Sequence, residues 1–156
     1  MEHQYDDGGR NTAGYKGKTG DCVARSVAIA SGLPYQEVYA ALAQGTGGQT
    51  TGKHKKRAAS AANGISVKRK WFKDYMVSLG FVWVPTMGIG TGCRVHLVKD
   101  ELPMGNLVVS VSKHYTAVIN GVIRDTWDPQ RNTYCFREDG TTQNSRRCVY
   151  GYWLKK

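Results

Sequence analysis

Three side chains in this sequence have the types that together perform thiol chemistry: Cys22, His114 and Asp125. A thiol is a weak nucleophile until it loses its proton, and an imidazole held at one nitrogen by a carboxylate is a base suited to take it. Cys22 precedes a stripe of Val23, Val27 and Ala30, at i, i+4 and i+7, which predicts a helix starting at the cysteine. The first N–H groups of a helix are unpaired and carry partial positive charge, so a sulfur there is biased toward thiolate. Asp21 opposes that bias unless its carboxylate is engaged in capping the helix.

A turn brings His114 and Asp125 together. Asn120-Gly121, between two β-type runs, is the dipeptide preferred in a two-residue type I′ hairpin. Placing Ile119 opposite Val122 puts Thr116 opposite Asp125 and His114 opposite Trp127. His114 and Asp125 then become diagonal neighbours on one face. Asp128 is the competing carboxylate. On a continuing strand it points to the other face, unless a bulge after Trp127 turns it round, and before Pro129 it also suits the start of a turn.

The elements that must hold these groups follow from periodicity. Residues 1–20 are polar and glycine-rich without a hydrophobic repeat, which predicts a flexible, extended lead-in. The first helix runs from an Asp21 cap to Gly32. Pro34 opens a second, with Tyr35, Val38, Tyr39 and Leu42 on one face, to about Gln44, and residues 45–52 form a loop. Residues 53–73 hold eight Lys or Arg and no acid. Within them begins a third helix, placing Val67, Trp71, Tyr75 and Leu79 on one face and ending at Gly80. From residue 81 the pattern changes to β-type runs at 81–84, 107–111, 115–119, 122–127 and 148–153. Helices first and antiparallel strands afterwards is an α+β order, with a sheet packed on one helical layer. One domain over residues 21–156, helical to 80 and sheet beyond, accounts for the whole pattern.

Composition supports a packed core. A chain of 156 residues, 40% of them hydrophobic, fits one domain that buries about two-thirds of its unfolded surface. The excess of 22 Lys and Arg over 12 Asp and Glu gives a net charge of +10, which favours acidic partners: nucleic acid, an anionic surface or an acidic protein. Nothing near Met1 reads as a secretory leader, and no apolar run is long enough to cross a bilayer, so a cytoplasmic protein without a membrane partner is expected. Cys22, Cys93, Cys135 and Cys148 form no CxxC pair or zinc-ribbon spacing, and reduced thiols are the default.

A cysteine on the leading turn of a helix, a later His114-Tyr115-Thr116-Ala117-Val118 run and Asp125-Thr126-Trp127 on the next strand resemble papain-like cysteine peptidases. In that family a histidine begins one strand and Asn-Ser-Trp lies on the following one. The segments Gly20-Asp21-Cys22-Val23-Ala24-Arg25 and 114–118 also look like small papain-like proteins encoded by bacteriophages and bacteria. The resemblance covers residues 20–31 and 107–128 and implies a papain-like fold, in the host cytoplasm if the chain is phage-encoded. It makes Cys22 the nucleophile, His114 the general base and acid, Asp125 its orienter and Trp127 a shield over the His–Asp contact. The glutamine upstream of the papain cysteine has no counterpart, since position 16 is lysine. Thr19 is then the nearest hydroxyl to assist the Cys22 N–H at an oxyanion.

Other motifs carry less chemistry. Cys93 and His96 would be half of a metal site without a second half, so no metal or other cofactor is expected. Residues 47–53 read G-x-x-x-x-G-K, but His54 stands where a phosphate loop needs Ser or Thr. Gly88, Gly90 and Gly92 fit a loop and not a dinucleotide site. The basic tract (Lys53, Lys55, Lys56, Arg57, Lys68, Arg69, Lys70), with Trp71 and Tyr75, suits either a phosphate backbone with stacked bases or a solvated face with its aromatics turned inward. The expected function is a thiol hydrolase or acyltransferase acting on an amide or isopeptide bond of a protein or peptide. The alternatives are a nucleic-acid or protein binding module on an inactive scaffold of the same kind, and a virion or scaffold component without chemistry.

Overall fold

In the computed structural model the described residues are 1–16, 20–48, 50–51, 55–56, 60–62, 64–131, 133–136, 138 and 142–156. For 50–51, 55–56, 133–136 and 142–145 only the backbone is described. In chain order the elements are β1 (Glu2–Tyr5), α1 (Cys22–Ser31), α2 (Tyr35–Gly47), β2 (Thr50–Thr51), β3 (Lys55–Lys56), α3 (Lys70–Ser78), β4 (Phe81–Pro85) and β5 (Val95–His96). A 3-10 turn (Lys99–Glu101) precedes β6 (Asn106–Val111), β7 (His114–Ile119), β8 (Val122–Asp125), β9 (Thr133–Phe136), β10 (Thr142–Ser145) and β11 (Cys148–Lys155).

The protein is α+β. Seven strands form one sheet in the order β1-β8-β7-β6-β11-β4, with β5 also paired to β11, while β2-β3 and β9-β10 form separate hairpins. The sheet is mixed instead of purely antiparallel, because β1 from the lead-in lies parallel to β8 at the edge, Tyr5 opposite Asp125. Residues 2–5 are thus extended, as expected, but they are a paired strand and not a flexible lead-in. Strand alternation sends Val108 and Tyr115 to the helical face and Val109, Val111 and Val118 to the other. On the helical face Val27, Val38, Leu42, Phe72 and Met76 complete one core cluster, and on the other Leu97 and Leu102 cover the second.

The helices differ from expectation in instructive places. α1 starts at Cys22 and stops at Gly32, whose φ of 76° is the left-handed conformation that ends a helix. Asp21 makes no side-chain cap hydrogen bond, because its carboxylate is turned inward. α2 continues through Gly45 to Gly47 instead of stopping near Gln44. A Cβ at Gly45 would overlap the Trp71 ring, so the glycine serves helix-to-helix approach here and not a loop. α3 buries Phe72 and Met76 completely, while Trp71 and Tyr75 are half-buried beside them. At nine residues α3 is too short to persist alone, so burying those two side chains, at about 1.5–3 kcal/mol each, anchors it.

Two of the four cysteines are joined. Cys93 and Cys148 form a disulfide, which corrects the expectation of reduced thiols. β11 pairs antiparallel with β5, carrying Cys148 opposite His96 and close to Cys93. His96 is engaged by Glu101, 3.1 Å from its Nδ1. No helix among the described residues is long and apolar enough to cross a membrane.

Candidate active site

The hairpin forms in the register its sequence dictates. Asn120 and Gly121 have φ of 48° and 80°, positive at both positions as a type I′ turn requires, and Ile119 pairs with Val122 and Ala117 with Arg124. Two steps further on, His114 Nε2 lies 2.7 Å from Asp125 Oδ2. The Thr116 hydroxyl donates to the same oxygen at 2.7 Å, and the Thr126 N–H donates to Oδ1 at 2.7 Å. β8 ends at Asp125, and the chain bends so that the Trp127 ring packs against the His114 imidazole, tilted by 44° with centroids 4.6 Å apart. Arg147 lies over the same indole, 6.0 Å from its centroid. Asp128 is exposed and accepts the Gln130 N–H at 3.0 Å, so it forms the turn and leaves the imidazole to Asp125.

Cys22 is the free thiol among the described residues and is half-buried. The His114 imidazole and the Tyr115 backbone N–H act on its sulfur, both favouring the thiolate. With Nε2 committed to Asp125, Nδ1 is the ring nitrogen left for the sulfur. Burial pushes the Cys22 thiol up, but the hydrogen bonds from His114 and Tyr115 and the charges of His114 and Arg25 outweigh it and hold the thiol below its ordinary value. Burial likewise works against a charged His114. Hydrogen bonds to Asp125 and Cys22, and the charges of both, reverse that and raise the imidazole. Desolvation would raise Asp125, but its bonds to His114 and Thr116 keep it below the usual carboxylate range. An acidic thiol beside a basic imidazole is the arrangement that favours a thiolate–imidazolium pair.

Behind the three residues runs a buried ionic chain that sequence reasoning missed. Arg25, 8% exposed, pairs through Nη1 with Asp21 Oδ1 and reaches Asp125 Oδ1 through Nη2 at 3.7 Å. Asp21, 1% exposed, also meets Arg10 Nε at 3.1 Å and accepts the Tyr35 hydroxyl at 2.6 Å. The acid next to Cys22 is therefore neutralised by two guanidinium groups, which removes its opposition to a thiolate. Arg25 had a local signal, the one charged residue of α1, four positions after Asp21. Thr116 had one too, standing opposite Asp125 in the hairpin register. Arg10 had none, nor did the edge pairing in which Asp6 N–H and His3 Nε2 both reach the Asp125 carbonyl oxygen, at 3.0 and 3.1 Å.

Thr19, Lys53 and Arg57 lie outside the described residues, as do the side chains of Lys55 and Lys56. Lys68, Arg69 and Lys70 are exposed, Lys70 paired with Asp74. Trp71 packs against the helical core, as the inward reading of the aromatics required. Two cavities are lined by chain neighbours and ionic partners of Cys22, His114 and Asp125, though not by those three residues themselves. One, of about 620 Å³, is lined by Arg10, Tyr15, Asp21, Arg25 and Trp127, and the other, of about 590 Å³, by Tyr115 and the aromatics beyond it. Among the described residues no cluster of His, Cys, Asp and Glu has the composition of a metal site. Comparison of the chain with family models, curated proteins and solved structures gave no match.

Proposed function

We propose that the chain is a thiol hydrolase or acyltransferase of papain-like architecture, acting on an amide or isopeptide bond. The reading rests on one observation: His114 is bonded to the buried Asp125 carboxylate at 2.7 Å, and its imidazole and the Cys22 thiol each favour the charged form of the other. In the first half-reaction the Cys22 sulfur forms a bond to the substrate carbonyl carbon, and the electron pair of the C=O bond moves to oxygen. The Cys22 N–H, which as the first of α1 has no partner within the helix, is a donor suited to that oxyanion. His114 gives its proton to the departing amine as the C–N bond breaks, leaving a thioester. His114 then takes a proton from water, or from an acceptor amine, whose attack releases the acyl group and returns the sulfur. Asp125 and Thr116 keep the ring oriented and stabilise its charged form throughout.

Iodoacetamide labelling against pH tests this directly, with Cys22 followed by mass spectrometry. At pH 6 an ordinary thiol, with a pKa of about 8.5, is well under 1% ionised. Cys22 is expected to react more than about tenfold faster than glutathione there. Labelling no faster than glutathione would sink the proposal.

A binding module without chemistry is the second reading, favoured by the exposed Lys68 and Arg69 and the charge of +10. It requires that Cys22→Ala keep function and that affinity for nucleic acid fall steeply with salt. A cytoplasmic location, expected from sequence, stands against the Cys93–Cys148 bridge, since glutathione keeps most such pairs reduced.

A further inference from the structure

Two sequence features that the thiol chemistry leaves unused converge on one cleft. The basic run at the start of α3 contributes Lys68 and Lys73, and the Gly88-x-Gly90-x-Gly92 loop contributes Ile89. Between them lie the rings of Trp83, Tyr115 and Trp153, the two indoles 5.2 Å apart. The cavity is about 590 Å³, within the range of sites that take a side chain or small ligand. The loop is tied to β11 at both ends, by Thr86 Oγ1 to the Val149 carbonyl at 2.7 Å and by the Cys93–Cys148 disulfide.

The cleft is next to the thiol through a single residue. The Tyr115 N–H favours the Cys22 thiolate, while its ring lines the cleft and its hydroxyl stays protonated, its pKa pushed up to about 12 chiefly by burial. Ile89 and Trp83 leave apolar surface exposed at the mouth, 107% and 38%, which marks it as a surface awaiting a partner. The charge there has one sign. Lys68 and Lys73 are exposed, and among the described residues neither has an ion pair and no acid lines the cavity. An apolar wall under two free ammonium groups complements a bulky side chain with a carboxylate beside it.

We infer that this cleft binds an acidic peptide, taking a bulky apolar side chain against Trp83 and Trp153 and the carboxylate of an adjacent Asp or Glu at Lys68 and Lys73. The inference rests on the thiol reading above, for which it names the substrate class.

The test uses the full-length Cys22→Ala chain, which binds without turnover, and dye-labelled blocked peptides followed by fluorescence anisotropy. Ala-Phe-Glu-Ala is expected to bind at least about tenfold tighter than Ala-Phe-Gln-Ala or Ala-Ala-Glu-Ala, each tenfold being about 1.4 kcal/mol. Adding Lys68→Gln and Lys73→Gln should erase the preference for Glu over Gln while keeping that for Phe over Ala. Equal affinity for the three peptides overturns the inference, as does a Glu preference that survives loss of both lysines. Displacement of the Phe-Glu peptide by an oligothymidylate at physiological salt also overturns it, in favour of a phosphate backbone. Iodoacetamide labelling of the unaltered chain separates the two levels. Fast labelling with no peptide discrimination removes the cleft and keeps the thiol reading, whereas slow labelling with discrimination intact removes the thiol reading and keeps the acidic-peptide site.

Discussion

Arg25 Nη2 lies 3.7 Å from Asp125 Oδ1 while Nη1 of the same side chain pairs with Asp21, so one buried guanidinium ties the acid beside Cys22 to the acid bonded to His114. The two carboxylates belong to α1 and β8, far apart in sequence. Their shared cation fixes how the start of the helix meets the end of the hairpin.

Arg25→Ala strands two carboxylates in low dielectric, and removing one partner of a buried pair costs about 3–5 kcal/mol. Urea denaturation is expected to show a loss of that size. Arg25→Lys should recover only part of it, because an ammonium cannot span both acids with a planar fork. A loss below about 1 kcal/mol in Arg25→Ala would mean that the pairing contributes little.

Asp125→Asn keeps the shape of the side chain but removes the charge that raises His114. Hydrolysis of any substrate found for the chain should fall by about 10² or more, and iodoacetamide labelling at pH 6 should fall with it. Titration of His114 by NMR should show a lower pKa than in the unaltered chain. Thr116→Val, which removes one of the bonds to Asp125, should give the same changes in weaker form.

The pH dependence has a definite sign on each side. Asp125 is depressed in the fold, so its contribution to stability is complete above the unfolded value of about 3.9 and is lost as pH falls through the folded value. His114 is raised, so its contribution is complete below about 6.5 and is lost as pH rises through the folded value. Thermal melts are expected to show a stability maximum between these limbs. Asp125→Asn should flatten the acid one, and an unchanged acid limb would contradict the assignment. Thiol reactivity should begin to rise at a pH below the ordinary thiol range, following the lowered Cys22.

The Cys93–Cys148 bridge closes a loop with a sequence separation of 55, for which the chain-entropy estimate is about 4 kcal/mol. Cys93→Ser with Cys148→Ser is expected to lower stability by up to that amount. Dithiothreitol should shift the melt of the unaltered chain similarly and leave the double variant unmoved. A melt indifferent to reductant would show the two thiols unpaired in solution.

Much of the site was legible because its parts are local. The helix beginning at Cys22 follows from a 3.6-residue repeat ending at a glycine, and the meeting of His114 with Asp125 follows from strand alternation around Asn120-Gly121. Gly45 shows where local reading failed: glycine weighs against a helix on propensity, yet α2 needs one there to admit Trp71. The third helix forms where expected but is shorter, Lys70–Ser78, so Val67 and Leu79 fall outside it, and its most buried side chains, Phe72 and Met76, lie one position round from the expected face.

By itself, then, the sequence determined the local periodicities: an α+β order, a thiol on a first turn, and a base and an acid one hairpin step apart. Tertiary structure alone decided that these face one another, that Arg25 and Arg10 neutralise Asp21, that residues 2–5 pair beside Asp125, and that Cys93 finds Cys148. The physical reason is range. Helix and turn signals act over a few residues, whereas the partners of buried charges and edge strands are chosen by the packing of segments whose separation along the chain leaves no local trace.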